Sequence, residues 1–240
     1  MSTLFISDLH LSHQVPNLVA AFYDFLQTTA LGAERLYILG DFFDAWIGDD
    51  EDAPLAEEIK QHLHQFSSDC PTFFLHGNRD FLIGEQFAKD TGVTLLPETA
   101  VIDLYGRATL LMHGDTLCTH DEEYMHFRAM VHSPQWQQQV LALPLPQRRQ
   151  MAADLRNKSQ SMNAVKAEDI MDVTPSEVAR VMGEHKVDLL IHGHTHRPAV
   201  HKLHINNNPA ERWVLGDWHQ RGWYIEANAS GMELVRFPIK

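Results

Sequence analysis

The sequence predicts a layered α/β domain that carries its chemistry at one end of its strands. Three observations predict it: apolar runs of strand length recur, helical spacing fills two of the gaps between them, and a polar motif follows each run directly. The runs are TLFIS before DLH, RLYIL before GDFFD, TFFL before HGNRD, ATLLM before HGD, and DLLI before HGHTH. Continuous apolar runs of this length are strands buried on both faces. Leu18, Phe22, Phe25 and Leu26 recur at helical spacing after the first run, and Leu55, Ile59, Leu63 and Phe66 after the second. That alternation builds helices onto a sheet. In such sheets ligands bind beyond the carboxyl ends of the strands.

Towards the end of the chain, from Arg212 through Phe237, the runs WVL, GWYIEA and MELVRF are broken by Gly216-Asp217 and Ser230-Gly231. This pattern predicts antiparallel strands that complete a second sheet. The segment from Met125 to Lys166 differs from the rest. It holds six basic residues (Arg128, Arg148, Arg149, Arg156, Lys158, Lys166) against one acid, Asp154, a local +5 in a chain of formal net charge −13. It is rich in Met and Leu, contains Trp136, and is divided into separate helices by Pro144 and Pro146. Arg148 and Arg149 either meet anionic headgroups at a membrane, each cation contributing up to about 1 kcal/mol, or belong to a purely internal lid.

A length of 240 residues suits one domain, 1–240, with a core large enough to need no disulfide. The negative balance argues against nucleic acid as a partner, because a phosphate backbone recruits an excess of Lys and Arg. Cys70 and Cys118 lack zinc-type spacing, which points to a reducing compartment and to two small buried hydrophobes. The opening MSTLFISDLH meets Asp8 before a signal-peptide core forms, and no stretch approaches roughly 18 apolar residues. A soluble or peripheral protein is expected.

The motifs gain meaning together. In Asp8-Leu9-His10, alternation along an extended segment places a carboxylate and an imidazole on one side. Gly40-Asp41 offers a second carboxylate and Gly77-Asn78-Arg79-Asp80 an amide oxygen, although each alone is equally a cap or an Asx turn. His113-Gly114 and Gly193-His194-Thr195-His196 add imidazoles. Five strand ends thus supply Asp8, His10, Asp41, Asn78, His113, His194 and His196, while Gly40, Gly77, Gly114 and Gly193 allow close backbone approach. Oxygen and nitrogen donors without thiolate suit Mn²⁺ or Fe²⁺ better than a closed structural zinc, and two Mn²⁺ per chain are expected. Two ions about 3.5–4 Å apart share a ligand, and Asp41 is the natural bridge. Such a pair activates water for in-line displacement at phosphorus.

The order DLH, GDFFD, GNRD, HGD, GHTH, from residue 8 to 196, resembles the calcineurin-like metallophosphoesterases. Many members carry His after the motif Asn, where it can act as general acid; here the position is Arg79. A fixed cation there favours a phosphate-bearing leaving group over one that needs protonation. More closely, SDLHLS, LGDFFDAWIGDD, HGNRDFLIG, LMHGDTLCT, IMDV and IHGHTHRPAVH resemble the UDP-2,3-diacylglucosamine hydrolases, the pyrophosphatases of lipid A synthesis. The resemblance implies two packed mixed β-sheets flanked by helices, with a helical lid inserted at 121–168 over the acyl chains. It implies that Asp8, His10, Asp41 and His196 hold one Mn²⁺, and that Asp41, Asn78, His113 and His194 hold the other. Substrate contacts would come from Asn78, Arg79, Asp121, Tyr124, Ser159, Asn163, Lys166 and His194. Metal-activated water would attack the α-phosphorus of UDP-diacylglucosamine, releasing UMP and 2,3-diacylglucosamine 1-phosphate. The implied setting is the cytoplasmic face of the inner membrane, with peripheral attachment and no obligate protein partner. The alternatives are a metallophosphoesterase acting on a dinucleoside polyphosphate or phosphoprotein, and a non-catalytic scaffold. The first needs no apolar lid, and scaffolds lose ligands.

Overall fold

In the computed structural model, which describes residues 1–163 and 172–240 and only the backbone of 158–163, each apolar run forms a strand. The chain runs β1 (Thr3–Ile6), α1 (Pro16–Gln27), β2 (Arg35–Leu39), α2 (Pro54–Ser67), β3 (Thr72–Leu75), α3 (Glu85–Thr91), β4 (Thr94–Leu95), β5 (Thr99–Leu104) and β6 (Arg107–Met112). After a 3₁₀ turn at Asp115–Leu117 come three successive helices, α4 (Glu122–Val131), α5 (Pro134–Leu141) and α6 (Leu145–Asn163). The chain ends with α7 (Pro175–His185), β7 (Leu189–His192), β8 (Ala199–Ile205), β9 (Asn208–Val214), β10 (Arg221–Asn228) and β11 (Gly231–Pro238).

Two mixed sheets result. The first has the order β11-β10-β1-β2-β3-β4 and the second β5-β6-β7-β9-β8. Period-2 alternation sorts each buried strand onto two cores: Phe5, Tyr37 and Leu75 pack with Leu111, Ile191 and Trp213 between the sheets. Leu4, Ile6, Ile38 and Phe74 face outward onto Phe22 and Phe25 of α1, Ile59 and Leu63 of α2, and Phe87 of α3. Leu110, Met112 and Leu190 face α7 through Val178, Val181 and Met182. Helices therefore flank both sheets, and burial on both faces explains why these strands read as unbroken apolar runs.

The end of the chain departs from expectation. β9 lies in the second sheet, but parallel to β7, whereas β10 and β11 cross to the first sheet and β10 pairs antiparallel with β1. The open edge of β1 and the demand of Ile225 and Ala227 for the inter-sheet core account for the crossing. The division of the 125–166 region also shifts. The break between α5 and α6 ends at Pro144, while Pro146 sits inside the first turn of α6, where a missing N–H costs nothing.

The four arginines of this region, all among the described residues, pair with carboxylates of the protein itself. Arg148 pairs with Asp50, Arg149 with Glu51 and Asp52, Arg156 with Asp44, and Arg128 with Asp115 and Glu98. Arg148 is only 3% exposed. It and Arg149 are thus engaged by the 44–52 loop, which for the buried Arg148 favours the internal alternative, while Arg149 stays 43% exposed. A guanidinium that finds carboxylates and carbonyls nearby is held more strongly than by a distant membrane potential. Among the described residues no helix is long and apolar enough to cross a membrane.

Candidate metal centre

Five loops leave the carboxyl ends of β1, β2, β3, β6 and β7, three from the first sheet and two from the second, and their polar side chains converge. Asp8, His10 and His196 present ligand atoms that all lie within 4.8 Å of one another, as do Asp8, Asp41 and His113. Asp41 turns one oxygen toward His113 Nε2 (3.6 Å) and the other toward His10 Nδ1 (3.9 Å). Asn78 Oδ1 lies 3.0 Å from His113 Nε2 and 2.9 Å from His194 Nδ1. All seven side chains expected from the sequence therefore meet, with Asp8 in both triads.

The backbone that achieves this is not the extended one expected for Asp8-Leu9-His10. Asp8, His10, Asp41, His194 and His196 all have left-handed backbone, with φ between 49° and 67°. That conformation costs roughly 1–2 kcal/mol per residue for a side chain with a Cβ. Leu9 is meanwhile fully buried in the core beneath. Strain concentrated on the very residues that converge is the mark of a functional site. Close packing holds it: a Cβ on Gly193 would overlap the Asp8 carboxylate and Ser7.

Electrostatics separate the ligands. Burial would raise the Asp8 carboxyl, but the His196 ring, whose Nε2 lies 3.4 Å from Oδ1, and the charges of His113 and His10 drive it below the ordinary range. Burial lifts Asp41 to about 7 despite His113, with Asp80 and Asp8 adding repulsion. Burial lowers His10 to about 3 and, with His113, lowers His194 to about 4, so both keep free lone pairs at neutral pH. His113 Nδ1 donates to the Leu39 carbonyl at 2.8 Å, which turns Nε2 toward the cluster.

These residues fit divalent cations. Asp8 Oδ1 and His10 Nδ1 are buried without a hydrogen-bond partner, and the ring nitrogens of His10 and His196 face each other at 3.3 Å. Orphaned buried acceptors of this kind are costly unless an ion satisfies them. Oxygen and imidazole donors without thiolate match an open, catalytic type of site.

Asp80 is indistinguishable in the sequence from a turn residue. It is fully buried, and its carboxylate accepts from the Gly77 and Phe42 amides (both 2.8 Å) and more weakly from Asp41 N (3.3 Å). It thereby ties the loop that carries Asn78 to the loop that carries Asp41. An acid directly behind a Gly-Asn turn is all that the sequence shows of it. Asp80→Ala strands those amides, and a loss of about 1–3 kcal/mol in urea unfolding is expected; a variant as stable as wild type would show that water replaces the carboxylate.

The cluster opens into a cavity of about 520 Å³. His10, Asp41, Asn78, Arg79, His194 and His196 form its polar end, and Trp46, Phe81, Phe127, Trp136, Val140 and Leu155 its apolar end. Asp121 and Tyr124 line it too; Asp121 also caps α4 by accepting from Tyr124 N (3.0 Å), and the Tyr124 hydroxyl donates to Asp115 (2.7 Å). Cys118 is buried, as expected, and also lines the cavity. Ser159 and Asn163 stand one turn apart in α6, but their side chains, and all of Lys166, lie outside the described residues.

Comparison with known proteins agrees with this geometry. Residues 1–198 match the family model of the calcineurin-like phosphoesterases. The chain is 56% identical to the UDP-2,3-diacylglucosamine hydrolase of Cellvibrio japonicus (strain Ueda107) over 240 residues, the whole of both chains. It is 52% identical, again over the whole of both chains, to the proteins of that name from Serratia proteamaculans (strain 568) and Enterobacter sp. (strain 638).

Proposed function

Because this chain belongs to the calcineurin-like phosphoesterases, a family built on divalent metal ions, we propose that it hydrolyses the pyrophosphate of UDP-2,3-diacylglucosamine in lipid A synthesis. The products are UMP and 2,3-diacylglucosamine 1-phosphate. The observation that carries this reading is a cavity, among the described residues, that joins the metal-ligating cluster to walls of aromatic and aliphatic side chains. A phosphoanhydride bonded to a diacylated sugar needs both ends. A dinucleoside polyphosphate or a phosphoprotein needs only one.

Asp8, His10, Asp41 and His196 would hold one Mn²⁺, and Asp41, Asn78, His113 and His194 the other. When bound, these ions supply activated water for attack on the α-phosphorus and polarise its oxygens. The chain does the rest. Arg79, at the polar end of the cavity, neutralises the phosphate of the leaving group, which departs as an anion and needs no proton donor. Tyr124 contributes its ring, because its hydroxyl is committed to Asp115. The 121–168 segment, with α4 to α6, forms a lid within one domain of 1–240, and its apolar side chains exclude water from the sugar and acyl end. Asp121 would contact the sugar phosphate, and Ser159, Asn163 and Lys166, whose side chains lie outside the described residues, are assigned to the same role.

Acyl chains hold the substrate in the bilayer at about 0.8 kcal/mol per buried CH₂, so the enzyme works at the cytoplasmic face of the inner membrane as a peripheral protein. It needs neither nucleic acid nor an obligate protein partner. Hydrolysis of UDP-diacylglucosamine in ¹⁸O-labelled water tests the reading. The label is expected in UMP by mass spectrometry. Label in the glucosamine 1-phosphate would reverse the direction of attack, and no UMP at all would remove the reading.

A further inference from the structure

We propose that Arg148 is a positioning residue for the acyl end of the substrate, holding the 44–52 loop against the α5–α6 junction so that the two walls of the cavity meet. The inference rests on the proposed activity and concerns a residue outside the metal centre. Beside Phe81 and Phe127, the apolar end of the cavity draws on two pieces of chain far apart in sequence. Trp46 and Ile47 come from the loop after β2, and Trp136, Val140, Met151 and Leu155 come from α5 and α6. Nothing in local sequence joins these pieces.

Arg148 joins them. Its Nε donates to the Leu143 carbonyl in the α5–α6 connection (2.9 Å), its Nη1 to the Ile47 carbonyl (2.8 Å) and to Asp50 Oδ1 (2.7 Å), and its Nη2 to Asp50 Oδ2. The loop is shaped to receive it. Gly48 has φ +132°, and a side chain there would collide with Arg148 Nη1 and with Leu141. On its far side the loop is pinned by Asp49, whose carboxylate accepts from the Trp46 indole (3.1 Å) and from Gly84, Gln86 and Phe87 at the start of α3 (2.9–3.0 Å). Trp46 and Ile47 are therefore clamped between the start of α3, which Asp49 grips, and Arg148 on the inserted helices.

A charged residue buried beside an apolar wall is expensive unless every donor is used. Only the planar fork of Arg reaches two carbonyls and both carboxylate oxygens at once; a Lys offers one nitrogen. Arg149 and Arg156 pair with Glu51, Asp52 and Asp44 of the same loop, but Arg149 is half-exposed and Arg156 a third exposed, so Arg148 is the buried anchor of the three. If the clamp opens, the loop and α6 separate and the acyl chains lose one wall, while the ligands on the five strand ends stay in place.

Arg148→Lys keeps the charge and Arg148→Met keeps the volume, and each is compared with wild type in three measurements. These are kcat and KM on UDP-diacylglucosamine in mixed micelles, turnover of bis(4-nitrophenyl) phosphate, and thermal unfolding. For both variants KM for the lipid substrate should rise about tenfold, as for the loss of one charge-assisted contact, with hydrolysis of the small diester unchanged. An unaltered KM for the Lys variant overturns the proposal, and so does an equal loss on both substrates, which would place Arg148 in support of the metal loops. Should neither variant fold, Asp50→Ala at the exposed end of the pair should still raise KM, by less, and a wild-type KM there overturns it equally. A wild type that releases no UMP indicts the functional reading alone. The clamp is then judged by calorimetric binding of a pyrene-labelled fatty acid, where equal affinity in wild type and Arg148→Lys rejects it.

Discussion

Asp41→Ala is expected to lower turnover on UDP-diacylglucosamine about a thousandfold or more, since stabilisation of transition-state charge by a metal is worth several kcal/mol and each 1.4 kcal/mol is a factor of ten. The two Asp41 oxygens face different imidazoles, His113 and His10, so the side chain serves both halves of the cluster. Its loss should weaken both ions together, and elemental analysis after dialysis should find less than one Mn²⁺ per chain. The fold should survive. Burial and repulsion from Asp80 and Asp8 already raise the Asp41 carboxyl to about 7, so deleting it relieves crowding even as it leaves His113 without its strongest counter-charge. A variant that binds two Mn²⁺ per chain and turns over normally would end the assignment of Asp41 as the shared ligand.

Gly77→Ala should damage stability and chemistry at once. Gly77 lies where the loops after β2 and β3 touch, and a Cβ there would overlap both the Asp41 amide and its carboxylate, while a Cβ on Gly40 would overlap Gly77 itself. Neither neighbour can swing away, because both contacts involve backbone. The variant should unfold at the upper end of the roughly 1–3 kcal/mol that overpacking costs. Because a shift of about 1 Å at a reacting centre can cost a hundredfold, turnover should fall about that much even in the folded fraction. Gly32→Ala is the control: its φ is +77° with nothing within 4 Å, so it should show only the left-handed penalty of about 1 kcal/mol and normal turnover. Wild-type melting and activity for Gly77→Ala would mean that the loops can part without moving Asp41.

Sequence by itself determined the strands, because residues such as Phe5 and Ile38 are buried whichever way they point and leave an unbroken apolar run. It determined α1 and α2 through their helical spacing. It also brought out all seven converging side chains, since each follows a strand directly and metal chemistry demands those donor types. Tertiary structure alone decided three things. The sheet that β10 and β11 join depends on which edge lies open, a property of β1 and not of the end of the chain. The left-handed turns at Asp8, His10, Asp41, His194 and His196 are locally unfavourable, so no propensity forecasts them, and only packing between loops of two sheets maintains them. The fate of the basic insertion was hidden for the same reason. A run of arginines is a free patch or an internal clamp according to whether acids distant in sequence lie opposite, and here Asp44, Asp50, Glu51 and Asp52 do.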